Sequence, residues 1–489
     1  MPEQIVALSN EFVRMEFTSR GGGVRAVELL KHKVNDSGNV VLNGTNFVPA
    51  LTLIGFTNAG PDSAFTVEQT APNTVVMKRQ TTSGLGITKT FLLSDGYLLT
   101  GTVEIARIAR GSVSLPGSAD LAIGTVEPTT AKELPTYLTT GWLLGDKYQY
   151  HDLKQIAKNA DKGISSETVG ARWGAVKNQF FAMILTPDTN ATAIEYKQVD
   201  LPPPADWKTK ELPHGVFAAL TIRPTTTATN VTERYEFTWY AGPKAYELLV
   251  ALGNNQEEVM QFGMWGWFSV LLLKSMKFFH GLIPSYGFAI ILVTICIKIL
   301  FWPIQAKSIK SMKAMQKFQP LINKLKEKYK DDPQRMNAET MKLYKEHKIN
   351  PVSGCLPMLV QIPVLFAFYR MLASAIELRG QSFLWIHDLS APDTIFQVLG
   401  WPINPLPLLM TGLSVWQMKI TPQTGDQQQQ KMMMFMPLMM MFIFYKLAAG
   451  VVLYYTVQQF LSIAQQWWSM RKADNATPST PLVPAGKAK

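Results

Sequence analysis

Five apolar segments crowd the second half of this chain, at about 286–302, 355–375, 396–417, 432–448 and 451–470. Each approaches the roughly 20 residues an α-helix needs to cross a bilayer, although the first and fourth are short and would thin the membrane locally or lean on neighbours. The first 250 residues contain no such run and have the mixed texture of a soluble domain. The 47% hydrophobic content of the whole chain therefore averages two unlike halves, and 489 residues suggest two or three domains.

Charge follows the same division. The net charge of +11 is concentrated in segments that flank the apolar runs, which favours membrane topology over nucleic acid as its cause. Between the first and second runs, residues 303–351 carry twelve Lys and Arg against five acids, whereas residues 376–395 carry only Arg379 against Glu377, Asp388 and Asp393. By the positive-inside rule the basic loop is cytoplasmic, the 376–395 loop lies outside, and the tail from Arg471-Lys472 is cytoplasmic again. The N-terminal half is then outside too. "MPEQIVALSNEF" has no basic stretch leading into an apolar one, so the expectation is an anchor helix upstream of this sequence, or a misassigned start.

Residues 1 to about 242 read as a β-sandwich. "NEFVRMEFTSRGG" alternates apolar and polar, "NTVVMKRQTTSGLGITKTFLLSDGYLLTGTVEIARI" repeats the pattern between Ser-Gly and Asp-Gly turns, and "FFAMILTPDTNATAIEYKQV" and "ATNVTERYEFTWYAG" complete it. Signals of catalysis are poor: no G-x-S-x-G, no H-E-x-x-H, and "GLGITK" lacks the third glycine and a following helix. His32, His151 and His214 have no ligand-like spacing, and Cys296 and Cys355 fall at or inside apolar segments, so neither a metal site nor a disulfide framework is expected.

Residues 243–283 are expected to form a linker helix and then an aromatic-rich helix with Lys274, Lys277 and Gly281 on one face, lying in the membrane interface. In the basic loop, Ile309, Met312, Met315, Phe318, Ile322, Leu325 and Tyr329 recur at helical steps. "KDDP" then starts a second helix that runs to Asn350-Pro351, giving a helical hairpin over 304–350. Its lysines, Lys324, Lys326, Lys328 and Lys330 among them, suit either a solvated pair of helices near anionic lipid or a docking surface for a ribosome or partner. Lys298 stands inside the first apolar run. From spacing alone, it either faces a wet cavity or snorkels to the interface near Trp302, about 6 Å away along the helix.

"YGFAIILVTICIKILFWPI", "LYKEHKINPVSGCLPMLVQIPVLFAFYRML", "ELRGQSFLWIHDLSAPD", "QQQQKMMMFMPLMMMFIF" and "GVVLYYTVQQFLSIAQQ" together resemble the YidC/Oxa family of membrane-protein insertases. The likeness covers roughly residues 245–472, and the first half is more loosely similar to the periplasmic sandwich of the Gram-negative members. The resemblance implies a five-span core over 284–470, a cytoplasmic tail over 471–489, and a polar groove open to cytoplasm and lipid but closed outside. Lys298 then replaces the arginine usual in bacterial members, a point charge in place of a planar fork.

Thr294, one turn earlier, is expected to face the same groove, and the likeness assigns Tyr454 and Tyr455 to its lining and Leu365 and Met410 to the slide where a nascent helix exits. Met433, Met436 and Met440, within "KMMMFMPLMMMF", suit a slide that accepts many sequences, or simple packing against lipid. With no Walker motif, neither nucleotide nor other cofactor is expected and the protein is not expected to be an enzyme. Implied partners are nascent membrane proteins, lipid, the Sec translocon and the ribosome, without sequence-specific nucleic-acid binding. The competing classes are a transporter or channel, thinly supported by one lysine without an acidic partner, and a membrane-anchored carbohydrate-binding sandwich without paired carboxylates.

Overall fold

The computed structural model describes residues 2–34, 38–45, 48–55, 59–108, 119–130, 133–158, 164–202, 213–222, 232–330, 332–347, 356–421 and 427–475. It divides into two compact units, Met1–Met260 and Gln261–Lys489.

The first unit is built from two antiparallel sheets. One has four strands in the order β1-β2-β3-β4 (Ile5–Ser9, Val13–Thr18, Gly23–Lys33, Asn39–Leu42). The other contains β5 (Leu53–Ile54), β6 (Thr66–Ala71), β7 (Thr74–Gln80), β8 (Leu85–Leu93), β9 (Leu98–Arg107), β10 (Ala119–Val126), β11 (Thr139–Leu144), β12 (Lys147–Asp152), β13 (Ser165–Lys177), β14 (Phe181–Pro187), β15 (Ala191–Asp200), β16 (His214–Ile222) and β17 (Glu233–Pro243). Its main path runs β5-β10-β16-β15-β13-β14-β17-β9-β8-β7-β6, with β11 paired to β13 and β12 to β11. The sheets meet face to face where the rings of Phe17 and Phe91 lie 5.4 Å apart. Period-2 alternation decides which side chains enter: along β8, Leu85, Ile87, Phe91 and Leu93 point inward, and so does Lys89.

Lys89 is fully buried, and among the described residues no carboxylate offsets it. Its Nζ donates to the carbonyls of Gly21, Gly22 and Leu51 at 3.2, 2.7 and 3.0 Å and stands 5.1 Å above the Phe65 ring. Gly21 and Gly22 have φ of 72° and 59°, which turns their carbonyls toward the ammonium, and a Cβ at Gly22 would collide with Phe65. Burial pulls the Lys89 pKa down to about 7. The three histidines have local partners: His32 with Tyr97, His151 with Glu167 at 2.7 Å and His214 with Asp200 at 2.9 Å. Strand β13 places Trp173 in the core, where its indole N–H donates to Asn254 O, and α2 (Tyr246–Leu252), reached after the short α1 (Leu153–Ala157), buries Leu249 in the same unit.

The second unit is helical: α3 (Gly266–Leu282), α4 (Tyr286–Lys328), α5 (Pro333–Glu346), α6 (Leu356–Ser374), α7 (Pro405–Ile420), α8 (Gln427–Phe444) and α9 (Ala449–Asn475). Helix α3 buries Ser269, Leu272, Leu273 and Met276 and leaves Trp267, Phe278 and Leu282 exposed. Its Ser269 Oγ donates to Ala367 O of α6, and Lys277 of the basic face pairs with Glu377 at 3.4 Å.

One expectation is extended here and one is corrected. The first apolar run and the first arm of the basic hairpin are one helix of 43 residues, continuous through Pro303 and Pro320. Neighbouring chain can satisfy the carbonyls that such prolines free. Helix α5 turns back on it, with Phe318 and His347 rings 4.4 Å apart. The apolar run expected from 396 is helical only from Pro405. Residues 396–403 form an antiparallel hairpin, β18 (Phe396–Val398) and β19 (Trp401–Ile403). Among the described residues one helix, over Tyr286–Leu325, is long and apolar enough by itself to cross a membrane.

Candidate functional site: a cavity around Lys298

Helices α4 and α9 start at the same end of the unit and run alongside each other, so residues far apart in sequence meet at matching depths. The Nζ of Lys298 donates to Ser462 Oγ at 2.7 Å, and Ser462 donates in turn to Gln458 O. One turn further along α4, the Trp302 and Trp468 rings lie 5.7 Å apart, and Gln465 Nε2 donates to Trp302 O. Arg471 stacks over Trp467 beyond them. Lys298 lies one turn before the Trp302–Trp468 pair, inside the apolar run. The side chain is only 4% exposed and its ammonium turns to α9, not along α4 toward the end of that run as a snorkelling lysine would.

Lys298 opens onto a cavity of about 250 Å³ between α4, α6, α7 and α9. Seven of its lining residues are glutamines, namely Gln305, Gln361, Gln417, Gln458, Gln459, Gln465 and Gln466, with Thr421, Tyr455 and Ser462 adding hydroxyls and Ile309 and Met312 closing one side. Among the described residues no carboxylate lines it. Several amides brace one another: Gln458 Nε2 donates to Gln361 Oε1, Gln361 Nε2 to Tyr454 Oη, and Gln459 Nε2 to Ser414 Oγ. The Nε2 of Gln466 is buried without a hydrogen-bond partner among the described residues, although its Oε1 accepts from Thr421. A buried amide donor facing polar space is a site for water or an incoming carbonyl.

The other sequence-selected residues fall as follows. Tyr455 lines the cavity. Tyr454 is buried behind it, stacked on Phe368 at 4.1 Å and reaching the space only through Gln361. Thr294 is buried too, but its hydroxyl donates back to Ile290 O and it is not among the lining residues, contrary to the expectation from one-turn spacing. Leu365 is half-buried and Met410 is buried, so Met410 offers no open slide surface here, while Met436 is exposed and Met440 half-buried. Lys324, Lys328 and Lys330 are exposed. The side chains of Lys326 and Met433, and the whole of Cys355, lie outside the described residues.

Sequence reasoning passed over the glutamines. Gln458, Ser462, Gln465 and Ser469, with Gln459 and Gln466 beside them, recur at three- and four-residue steps along α9, a polar stripe legible in "TVQQFLSIAQQWWS".

The chain thus joins an antiparallel sandwich to a helical unit that has, among the described residues, one helix apolar enough to cross a membrane and a buried lysine in an amide-lined cavity. Two family models cover nearly the whole chain, one described as the YidC periplasmic domain over residues 5–274 and one as 60Kd inner membrane protein over residues 278–476. The membrane protein insertase YidC of Nitratidesulfovibrio vulgaris is 37% identical over 398 residues, spanning 78% of this chain and 67% of that one. That of Pelobacter propionicus is 52% identical over 194 residues, spanning 38% of this chain and 35% of that one. A solved structure, an active YidC insertase with its first transmembrane domain resolved, aligns with 95% of this chain and 92% of its own at 18% identity and a TM-score of 0.37. The chain belongs to the YidC family of membrane protein insertases, with an N-terminal periplasmic domain and a C-terminal inner-membrane part.

Proposed function

We propose that this protein inserts integral membrane proteins by receiving their polar flanks in the cavity around Lys298 while their apolar segments pass into lipid. The observation that carries this reading is the buried ammonium of Lys298, bound to a neutral hydroxyl in a space lined, among the described residues, by amides and hydroxyls and by no carboxylate. A carboxylate entering this space would gain both a counter-charge and hydrogen bonds that replace lost water. The amides of α9 would serve neutral backbone in the same way, and burial of the substrate's apolar segment would drive the step without nucleotide.

In this reading α4, α6, α7, α8 and α9 are the five spans of a core over 284–470. The sandwich, 1–242, is in the periplasm, joined by the linker and interfacial helix of 243–283. The far half of α4 and α5 form the cytoplasmic hairpin, whose Lys324, Lys326, Lys328 and Lys330 meet ribosome, Sec translocon or anionic lipid. Met436 and Met440, with Leu365 and Met433, would border the exit path, and Tyr455 would wall the groove with Tyr454 behind it.

The test is insertion in vivo of one substrate whose N-terminal tail charge is varied, with immunoblots to equalise protein levels. Lys298→Arg should retain activity, and Lys298→Ala should slow acidic tails about tenfold, the low end of what a hydrogen bond to a charged group is worth. Neutral tails should be affected less, and Lys298→Glu should be worst for acidic tails. An alanine variant indifferent to tail charge would remove the electrostatic basis of the proposal.

A further inference from the structure

The loop between α6 and α7 carries two tight turns, and each has a leucine where a leucine is costly. Leu399 has φ of 50° and, with Gly400 at φ of 83°, forms the two-residue turn between Val398 and Trp401. Leu384 has φ of 51° and sits in the turn closed by Phe383 and Ile386. Left-handed positions of such turns favour glycine, asparagine or aspartate, because a larger side chain crowds its own carbonyl. Both leucines are nevertheless projected outward, Leu399 97% and Leu384 74% exposed. A tryptophan accompanies each, Trp401 being 75% exposed.

These tips are not on a loose segment. Below the hairpin, Leu406 N and Trp385 Nε1 both donate to Asp393 Oδ2, Thr394 Oγ1 donates to Asn404 Oδ1, Asn404 Nδ2 donates to Tyr445 O, and Tyr445 Oη donates to Pro402 O. The loop is therefore pinned to α7 and to the α8–α9 junction. Phe383 packs on Phe288, near the start of α4, at the end opposite the Trp302–Trp468 pair. From Thr394 to Met418 no residue is charged, so the hairpin continues into the exposed leucines of α7, Leu408 and Leu409, as one neutral apolar surface.

We infer that Leu384, Leu399 and Trp401 form a two-tipped anchor that enters the outer leaflet of the bilayer, taking lipid as its partner. Strained, outward leucines on a braced scaffold make sense where the surroundings are acyl chains, and tryptophan beside them belongs at the headgroup boundary. The anchor would fix the depth of the closed end of the helical unit. This rests on the topology proposed above, which puts this loop on the periplasmic side.

The test uses the full chain with Cys296→Ser, Cys355→Ser and Leu399→Cys, labelled with an environment-sensitive fluorophore. It is reconstituted into vesicles of equal phosphatidylethanolamine and phosphatidylglycerol. A second labelled variant, Leu384→Cys, guards against a local distortion at one tip. The emission should shift to the blue relative to the detergent-free label in buffer, lose intensity strongly to a nitroxide carried near the lipid headgroup, and lose little to aqueous iodide. Strong quenching by iodide with none by the lipid nitroxide would overturn the inference. Shielding from both quenchers would overturn it equally, because protein would then cover the tips. No substrate is present, so these outcomes are independent of whether the cavity around Lys298 receives acidic tails.

Discussion

Replacing Lys89 by methionine should destabilise the N-terminal unit by an amount that grows with pH. The side chains are similar in length, so packing beneath Phe65 is kept while the donor to Gly21, Gly22 and Leu51 is lost. A buried acceptor left without its donor costs about 1–3 kcal/mol. A neutral amine still donates two protons, so at high pH the variant should be less stable by about 3 kcal/mol. Burial lowers the lysine from 10.5 to about 7 in the folded state. Above the folded value the unfolded chain holds the extra proton, so wild-type stability rises with pH from about 7 toward 10.5 and falls away again on acidification. At about 1.4 kcal/mol per pH unit, the wild-type protein gains roughly 2.7 kcal/mol between pH 7 and pH 9, which the variant cannot. The deficit of Lys89→Met should therefore shrink to within about 1 kcal/mol near pH 7. Urea unfolding of a fragment ending at Met260, followed by tryptophan fluorescence from pH 6 to pH 9, reads the difference, and titrating groups common to both proteins cancel. A gap that stays constant across this range would refute the titration, and a variant more stable at every pH would refute the carbonyl cradle.

Converting Gln459 and Gln466 to leucine should slow insertion several-fold for acidic and neutral tails alike, since the amides meet backbone as well as charge; a defect confined to one tail charge would count against this role. Replacing Lys324, Lys328 and Lys330 with glutamine should weaken association with ribosomes or anionic vesicles and flatten its dependence on salt, because exposed charges are screened within about 8–10 Å at physiological ionic strength. Co-sedimentation across a salt series measures it, and unchanged binding would leave those lysines with a purely topological part.

Alternation made part of the sandwich legible, because β7, β8, β15 and the first half of β17 show one face to the core and one to solvent or a half-buried surface, whereas β14 buries Phe181 to Leu185 without alternation. Strand β10, "ADLAIGTV", is buried on both faces between β5 and β16, so it has no alternation to read. The alternation of β8 puts Lys89 on the inward face, but it went unremarked in the sequence, and its three carbonyls come from residues 38–68 positions away with no local signal to announce them. In the helical unit, hydropathy located the apolar runs but not where helices begin within them. Phe396 to Ile403 is as apolar as a span, and only Asn404-Pro405, with proline at the first helical turn, marks the change from hairpin to helix. Lys298 stood out as a charge among apolar residues. Its partner Ser462 did not, because a serine on a long helix is ordinary until the stripe of glutamines around it is read at helical spacing.

Helix α4 is a lever. Its 43 residues extend about 65 Å, roughly twice the thickness of a hydrocarbon core, so one element carries both the buried Lys298 and the exposed lysines of its far half. Pro303, five residues past Lys298, is a natural pivot, since it removes a hydrogen bond from the turn just below the lysine. The arm from Pro303 to Lys328 is about 38 Å long, so a swing of about 10° moves its tip by about 7 Å while the lysine travels far less. The exposed Lys324 and Lys328 and the buried Lys298 thus share one element, with Pro303 between them.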